Sequence, residues 1–206
     1  MSYIASNPSV VSKLLWEHLQ MVGGSSLVAV LFAIPLALLV TNYPRFSLPI
    51  MGFLGIIYTI PSLALIILFV PLLGLSAQPV ILAMVLYIQV ILVRNLVAGL
   101  QGIAPDIYEA AQGMGMNSWQ CWWWVEVPLI LPMFLAGVRL GAVVAIAVAT
   151  IGAKFGAGGL GTLLFEGIAQ SDRYDKIWAG VILLVALALI INTGLLILER
   201  LTSKQF

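Results

Sequence analysis

Long apolar runs alternate with short polar segments along the chain. A helix needs about 20 mostly apolar residues to cross a bilayer, because each residue adds about 1.5 Å to a hydrocarbon core about 30 Å thick. The stretch from Phe46 to Val93 is uncharged and too long for one crossing, and the turn-forming segment Gly74–Pro79 divides it. The predicted membrane helices are therefore Leu19–Thr41, Pro49–Leu73, Pro79–Leu100, Pro128–Ala153 and Ile177–Leu198.

This pattern predicts an all-α membrane protein with five transmembrane helices, in a single transmembrane domain over residues 1–206. Before the first run, Asn7 and Pro8 suit the start of a helix in which Lys13 and Glu17 pair four residues apart. We predict that this N-terminal helix lies in the membrane interface, with His18 at the surface rather than acting as a ligand. No small-residue cleavage site follows the first full-length run, so a cleavable signal peptide is not expected.

Composition supports a membrane protein and argues against catalysis. Hydrophobic residues make up 62% of the chain and charged residues 8%, whereas soluble domains carry roughly a quarter charged residues. The net charge of +1 gives no reason to expect a nucleic-acid partner. One cysteine and one histidine leave little material for a disulfide, a metal site or a His-based triad. Lys and Arg divide almost evenly between the two sides, so the positive-inside rule does not orient the chain.

The connection over residues 101–127 is far longer than a turn requires. Pro105 suits the first turn of a helix, and Asp106 and Glu109 place negative charge at its positive end. Gly113 and Gly115 would end this helix, because glycine readily adopts left-handed angles. We therefore predict a short helix that projects from the membrane.

A second short helix is predicted over Trp119–Val127, capped by Asn117 or Ser118 and closed by Pro128. It contains three consecutive tryptophans, Trp122–Trp124. Because indole rings favour the headgroup region, we expect these residues to anchor the segment at the interface. Binding of a protein partner is the alternative.

This connection resembles the signature loop of the permease subunits of ATP-binding-cassette (ABC) importers. That signature reads Glu-Ala-Ala, three residues, Gly, nine residues and Ile-x-Leu-Pro, and the chain has Glu109-Ala110-Ala111, Gly115 and Val125-Glu126-Val127-Pro128. The resemblance implies the type I ABC importer permease fold, with a cytoplasmic coupling helix that fits a groove on an ATPase subunit. It also implies that the N-terminus lies outside the inner membrane and the C-terminus in the cytoplasm. The residues to which it gives the coupling role are Glu109, Ala110, Ala111, Gly115 and Met116.

Further segments resemble the osmoprotectant branch of these permeases, which imports glycine betaine, choline or carnitine. The resemblance implies four kinds of partner: two ATP-binding subunits, a second permease that is identical or a paralogue, an extracytoplasmic substrate-binding protein, and membrane lipid. No Walker sequence occurs, so ATP and Mg would belong to the partner ATPase, and this chain would be no enzyme and hold no cofactor. The matching segments are Thr59–Leu65, Pro71–Gly74, Arg94-Asn95, Gly113–Met116, Ala136–Arg139 and Gly156–Gly161.

Several residues within or beside the runs are candidates for the pathway or a gate. Arg139 lies about eleven residues into the fourth run, where a cation costs on the order of 3 kcal/mol. It either serves the pathway or pairs with Glu126 or loop carbonyls near the boundary. Pro61 should kink its span, and Tyr58 is an aromatic candidate for binding a cation, as are Tyr87 and Trp178.

Two glycine patterns each leave two interpretations open. Gly156, Gly158 and Gly159 follow the fourth run without the strand or lysine of a nucleotide loop, so the segment is either an outward gate or a plain loop. Small residues also recur at every fourth position of the fourth run, where they favour close helix packing over a smooth pore wall. This stripe consists of Gly137, Gly141, Ala145, Ala149 and Ala153.

The sequence therefore predicts a permease subunit of an ATP-driven importer, most consistent with quaternary-amine osmoprotectants. The alternatives are a secondary transporter or channel that works without ATP, and an importer permease for another small solute such as an amino acid. A secondary transporter would normally show an internal repeat or buried ionisable groups, and we find neither. A membrane enzyme is disfavoured, because no apposed nucleophile, base or metal cluster can be named.

Overall fold

The computed structural model describes residues 2–171 and 173–203, which are almost entirely helical and include no β-strand. A π-helical turn at Trp122–Glu126 and a 3-10 turn at Ala153–Phe155 adjoin the eighth helix. The helices are α1 (Ser2–Ser6), α2 (Pro8–Asn42), α3 (Pro44–Thr59), α4 (Ser62–Leu73), α5 (Ala77–Gln101), α6 (Pro105–Gly113), α7 (Ser118–Cys121), α8 (Val127–Gly152), α9 (Gly161–Ala169) and α10 (Tyr174–Ser203).

Four helical segments are long and apolar enough to cross a membrane: α2, α5, the continuous segment Ser118–Phe155 and α10. The pair α3 and α4 would form a fifth span, bent by 97° at the intervening break. We call the side that carries residues 43, 102–117 and the end of α10 the loop face. The opposite side, which carries α1 and residues 74–76, 153–171 and 173, is the N-terminal face.

The N-terminal segment differs from its prediction. A helix begins at Pro8 as expected, but it continues without a break into the first span, so a separate interfacial helix does not form. Asn7 does not cap it; its side-chain amide donates to the Tyr3 carbonyl at 3.2 Å. His18 is fully buried, so its predicted surface position is wrong. The reason is tertiary: the glycine-rich loop after α8 packs over this part of α2.

Pro128 does not close the second loop helix as predicted. The chain runs from α7 through the π-helical turn into α8, and Val127 donates its N–H to the Trp122 carbonyl, five residues back. A proline within a helix clashes with the carbonyl four residues earlier, and a wider turn relieves such a clash. The helix therefore continues past Pro128 instead of ending there.

The core is centred on α5, which packs between α2 and α8. The small residues of α8 form the contact, as the preferred interpretation of their spacing predicted. A Cβ atom added to Gly137 would lie 3.0 Å from Asn95 Cβ, and one added to Gly141 would lie 3.0 Å from Ile88 Cγ2. Ala145 and Ala149 are fully buried in the same interface. The stripe is thus a packing surface within the subunit and not a pore wall.

Candidate coupling and transport sites

The predicted projecting helix is α6, which starts with Pro105 and carries Asp106 in its first turn. Glu109 and Ala110 are exposed, whereas Ala111 is only 1% exposed. One side of the Glu-Ala-Ala triplet therefore packs on the protein and the other is open. No described residue pairs with Glu109.

The end of α6 depends on Gly115, whose φ is +78°. Around it, the Met116 N–H donates to the Ala111 carbonyl at 3.1 Å, and the Gly115 N–H donates to the Gln112 carbonyl at 2.9 Å. These bonds satisfy carbonyls that a helix end otherwise leaves without partners. Nothing lies within 4 Å of the Cβ position at Gly113 or Gly115, so backbone angle rather than space explains the glycine at position 115.

Two features order the segment between α6 and α8. The side chain of Asn117 accepts from the Gln120 N–H, and the Gln120 side chain accepts from the Asn117 N–H, each at 2.9 Å, which completes a capping box. Tyr108 packs against the core, where burial and then the nearby Glu126 and Cys121 raise the pKa of its phenol. Tyr108 therefore ties α6 to the core near Cys121 and Glu126, at the turn that leads into α8.

The tryptophans of this segment fall into two groups. Trp122 packs against the core. Trp119, Trp123 and Trp124 are 50% to 76% exposed, and the rings of Trp119 and Trp123 meet edge to face at 5.6 Å. Exposed rings at this position suit either the headgroup anchoring or the partner contact anticipated from the sequence.

The break between α3 and α4 lies at Ile60 and Pro61, where the sequence predicts a kink. The Tyr87 hydroxyl donates a hydrogen bond to the Ile60 carbonyl. The rings of Tyr58 and Tyr87 lie 5.9 Å apart, and the Arg94 guanidinium lies 5.8 Å from the centroid of Tyr58. Two of the three aromatic candidates thus converge, whereas Trp178 makes no ring contact with them.

Arg139 pairs with neither Glu126 nor loop carbonyls. Its Nε donates to Glu199 Oε2 at 2.9 Å, and its Nη1 lies 3.4 Å from Asn192 Oδ1. Both partners belong to α10, so the ion pair joins two spans. Each side chain of the pair is 23% exposed. Because the two charges are largely shielded from water, removing one of them would leave the other poorly solvated and would weaken the packing of α10 on α8.

The glycine-rich segment after α8 packs on α2 at the N-terminal face. Gly156, Gly158 and Gly159 have φ between +77° and +84°. The Gly159 N–H donates to Glu17 Oε2 at 3.0 Å, and a Cβ on Gly158 would lie 2.6 Å from the same oxygen. The segment is therefore a tightly packed turn that requires its glycines and is bonded to α2 through Glu17.

Comparison with known proteins identifies the family. Residues 27–205 match the family described as "Binding-protein-dependent transport system inner membrane component". The chain belongs to this family. This permease is also 36% identical over 190 residues to the carnitine transport permease protein OpuCB of Listeria monocytogenes, which covers 92% of the chain and 87% of the relative. The osmoprotectant import permease protein OsmW of Salmonella typhimurium is 35% identical over 195 residues, or 92% of the chain and 90% of the relative.

Solved structures confirm the fold. The permease resembles a chain of the inward-facing MetNI methionine ABC transporter with a TM-score of 0.84 at 19% identity, covering 94% of this chain and 96% of the other. A chain of an amino acid ABC transporter crystallised with histidines gives a TM-score of 0.73 at 17% identity, covering 99% and 97%. Since both identities are low, these structures establish the type I importer permease architecture alone.

Sequence reasoning missed several contacts of this permease. The Tyr87–Ile60 bond, the Arg139–Glu199 pair and the Glu17–Gly159 bond join residues 27, 60 and 142 positions apart. No local pattern marks such pairs. The sequence offered one weak signal, since an arginine deep in an apolar run requires an acidic partner and Glu199 directly follows the last run.

Proposed function

We propose that this permease subunit works in an ATP-driven importer of quaternary-amine osmoprotectants such as glycine betaine, choline or carnitine. Two ATPase subunits would bind ATP and Mg, and a second permease, identical or paralogous, would complete the pathway. A substrate-binding protein would deliver the solute to the N-terminal face. The loop face would be cytoplasmic, so the N-terminus would lie outside the inner membrane and the C-terminus inside.

The observation that carries this proposal is the arrangement of α6. Its Glu109 and Ala110 are open to a partner, while Ala111 and Tyr108 attach the same helix to the spans. A protein that docks on the open side would move α6, and the capping box and Trp122 would pass that movement to α8. This role requires a short, rigid helix outside the lipid. The left-handed angle of Gly115 ends α6 and so keeps it short.

A groove behind α6 supports the same role. It has a volume of about 440 Å³ and lies between the ends of α5, α6 and α8, where Ile107, Leu129 and Met133 contribute to its lining. Gly99 of α5 is close to α8 at this point, because its Cβ position lies 3.3 Å from Met133 Cβ. Such a groove leaves room for α6 to shift against the spans without new clashes.

The substrate class rests on the relatives. One relative named for carnitine transport is 36% identical, and one named for osmoprotectant import is 35% identical. A Bacillus subtilis relative named for glycine betaine, carnitine and choline transport is 31% identical over 200 residues. The solved amino-acid transporters are much less similar, at 17% to 19% identity. Quaternary amines are therefore a better-supported cargo than amino acids.

Reconstitution tests this function. The permease would be assembled in proteoliposomes with its cognate ATPase and binding protein, and uptake of labelled glycine betaine, choline, carnitine and methionine would be measured in parallel. We expect uptake of at least one quaternary amine that requires hydrolysable ATP, and no methionine uptake. Equal uptake without nucleotide would instead indicate a secondary transporter or channel, and methionine uptake alone would indicate an amino-acid importer.

A further inference from the structure

An aromatic pair and an arginine meet beside the broken span. Tyr58 lies in the last turn of α3, and Tyr87 and Arg94 lie on α5, two turns apart. The Tyr87 hydroxyl is held by the Ile60 carbonyl, and the two rings are tilted by 58° at 5.9 Å. Tyr58 is 45% exposed and Arg94 is exposed as well, so the cluster is open on one side.

Arg94 lacks an acidic partner in the part of the chain that the structure describes. The four ion pairs found there involve other residues, and its guanidinium makes no side-chain hydrogen bond. It rests on the ring of Tyr58, and its Nη2 lies 3.5 Å from the Cβ position of Gly55. An arginine within a span faces a bundle interior or water rather than lipid, and it pairs when an anion is offered.

We propose that Tyr58, Tyr87 and Arg94 form a solute-recognition subsite in the permease, in which Arg94 binds the carboxylate of a zwitterionic quaternary amine and the tyrosine rings bind its ammonium group. This inference rests on the proposed function and adds to it the residues that select the substrate. The rings suit the ammonium, because an aromatic face attracts a cation that cannot donate hydrogen bonds. The guanidinium suits the carboxylate, because its planar fork matches two oxygens.

A contact within the subsite shows this chemistry. The Arg94 cation lies 5.8 Å from the centroid of the Tyr58 ring, on the face that the ammonium group of a solute would contact. A zwitterion supplies both charges together, so Arg94 turns to the carboxylate and leaves the ring to the ammonium. Each charge in the subsite keeps a partner in this exchange. A simple inorganic anion or cation offers only one of the two charges and cannot replace the zwitterion.

The subsite therefore distinguishes two kinds of quaternary amine. Glycine betaine and carnitine carry a carboxylate and satisfy both Arg94 and the rings. Choline carries a hydroxyl instead, satisfies only the rings and leaves Arg94 where it is. Removing the guanidinium should accordingly harm the transport of the first two and spare the third.

The test is uptake of the three labelled amines by the complete complex of permease, ATPase and binding protein, with binding protein and solute saturating. Arg94→Gln should lower uptake of glycine betaine and carnitine on the order of tenfold relative to choline, the size expected for a lost charge-assisted hydrogen bond. Arg45→Gln is the matched control. It removes an arginine that also lies over aromatic rings, Tyr43 and Phe46, but belongs to the first turn of α3 at the loop face.

The outcomes separate the subsite from the proposed function. The subsite is overturned, while the function stands, if Arg94→Gln lowers uptake of all three amines equally, as loss of a contact with lipid phosphate would. It is also overturned if Arg94→Gln lowers none of them. If Arg94→Gln does not assemble with the ATPase, Tyr58→Leu decides, since it removes the shared ring face. It should lower uptake of all three amines and lower it more than Tyr58→Phe does, and unchanged uptake overturns the subsite. Failure of the unmodified complex to import any quaternary amine contradicts the function itself.

Discussion

The guanidinium of Arg139 donates to the Glu199 carboxylate at 2.9 Å and ties α8 to the C-terminal part of α10. This pair matters because α10 is little buried otherwise. Only 11% of its most apolar window is inside the protein. The ion pair and the neighbouring Asn192 therefore hold a helix that apolar packing holds weakly.

Replacing the acidic partner should destabilise the permease. Glu199→Ala leaves Arg139 without its carboxylate, and we expect the free energy of unfolding to fall by roughly 1 to 3 kcal/mol, between the values for exposed and buried pairs. Thermal unfolding of the purified permease in detergent measures the change. Arg200→Ala, on the next residue of α10, is the control and should cost less than about 0.5 kcal/mol. Equal effects of the two substitutions would contradict the role of the pair.

The glycine turn on the N-terminal face should not tolerate a side chain. Gly159 has a φ of +77°, and a Cβ there would lie 3.0 Å from both His18 Nδ1 and Met21 Cε. Gly159→Ala should therefore lower the free energy of unfolding by about 1 to 3 kcal/mol. The same melting measurement checks it.

Gly194→Ala provides the matched control for that substitution. Gly194 lies within α10 with nothing within 4 Å of its Cβ position, so alanine should leave stability unchanged or raise it by up to about 1 kcal/mol. If both alanine variants melt alike, the turn does not depend on the left-handed angle or on its contacts with α2.

The coupling helix offers a comparison between two glycines in equally open space. Gly115→Val forces a β-branched residue into a left-handed backbone angle, at a strain of about 1 to 3 kcal/mol. This strain should shift the end of α6 and so lower substrate-stimulated ATPase activity roughly tenfold or more. Glu109→Lys should also abolish stimulation by reversing an exposed charge. Gly113→Ala, at an ordinary helical angle, should retain activity. Membrane insertion should be intact in all three, and full stimulation in Gly115→Val would argue against the coupling role.

The broken span should depend on the hydroxyl of Tyr87. Tyr87→Phe keeps the ring but removes the donor to the Ile60 carbonyl, and we expect a loss of about 1 kcal/mol in the free energy of unfolding. Tyr174→Phe is the control, because the Tyr174 side chain is 64% exposed and makes no hydrogen bond within residues 2–171 and 173–203. A loss of the same size in the control would show that the bond to Ile60 adds nothing.

Much of the fold follows from local signals in the sequence. Span length and hydropathy place the membrane helices, and Pro61 marks the break in the second span. Pro105 and Gly115 mark the start and end region of α6, because one fixes a helical φ and the other accepts a positive one. These predictions succeed because each depends on a residue and its immediate neighbours.

The errors arise where distant parts of the chain decide the outcome. His18 was expected at the surface, but the loop of Gly158 and Gly159 covers it from 140 residues away in sequence. Pro128 was expected to end a helix, but a π-helical turn that packs on the core through Trp122 accommodates it. The partner of Arg139 lies on another span for the same reason. Tertiary packing overrides propensity at all three positions.

The central claim is that α6 meets a nucleotide-driven partner on the cytoplasmic side. In a chain freed of its own thiol by Cys121→Ser, Ala110→Cys would be exposed to a membrane-impermeant maleimide, with Lys154→Cys on the N-terminal face as the control. We predict that Cys at position 110 reacts only in inside-out vesicles and is protected once the ATPase is bound, while Cys at position 154 reacts only in right-side-out vesicles. Labelling of position 110 from outside, or unchanged labelling with the ATPase bound, would contradict the account.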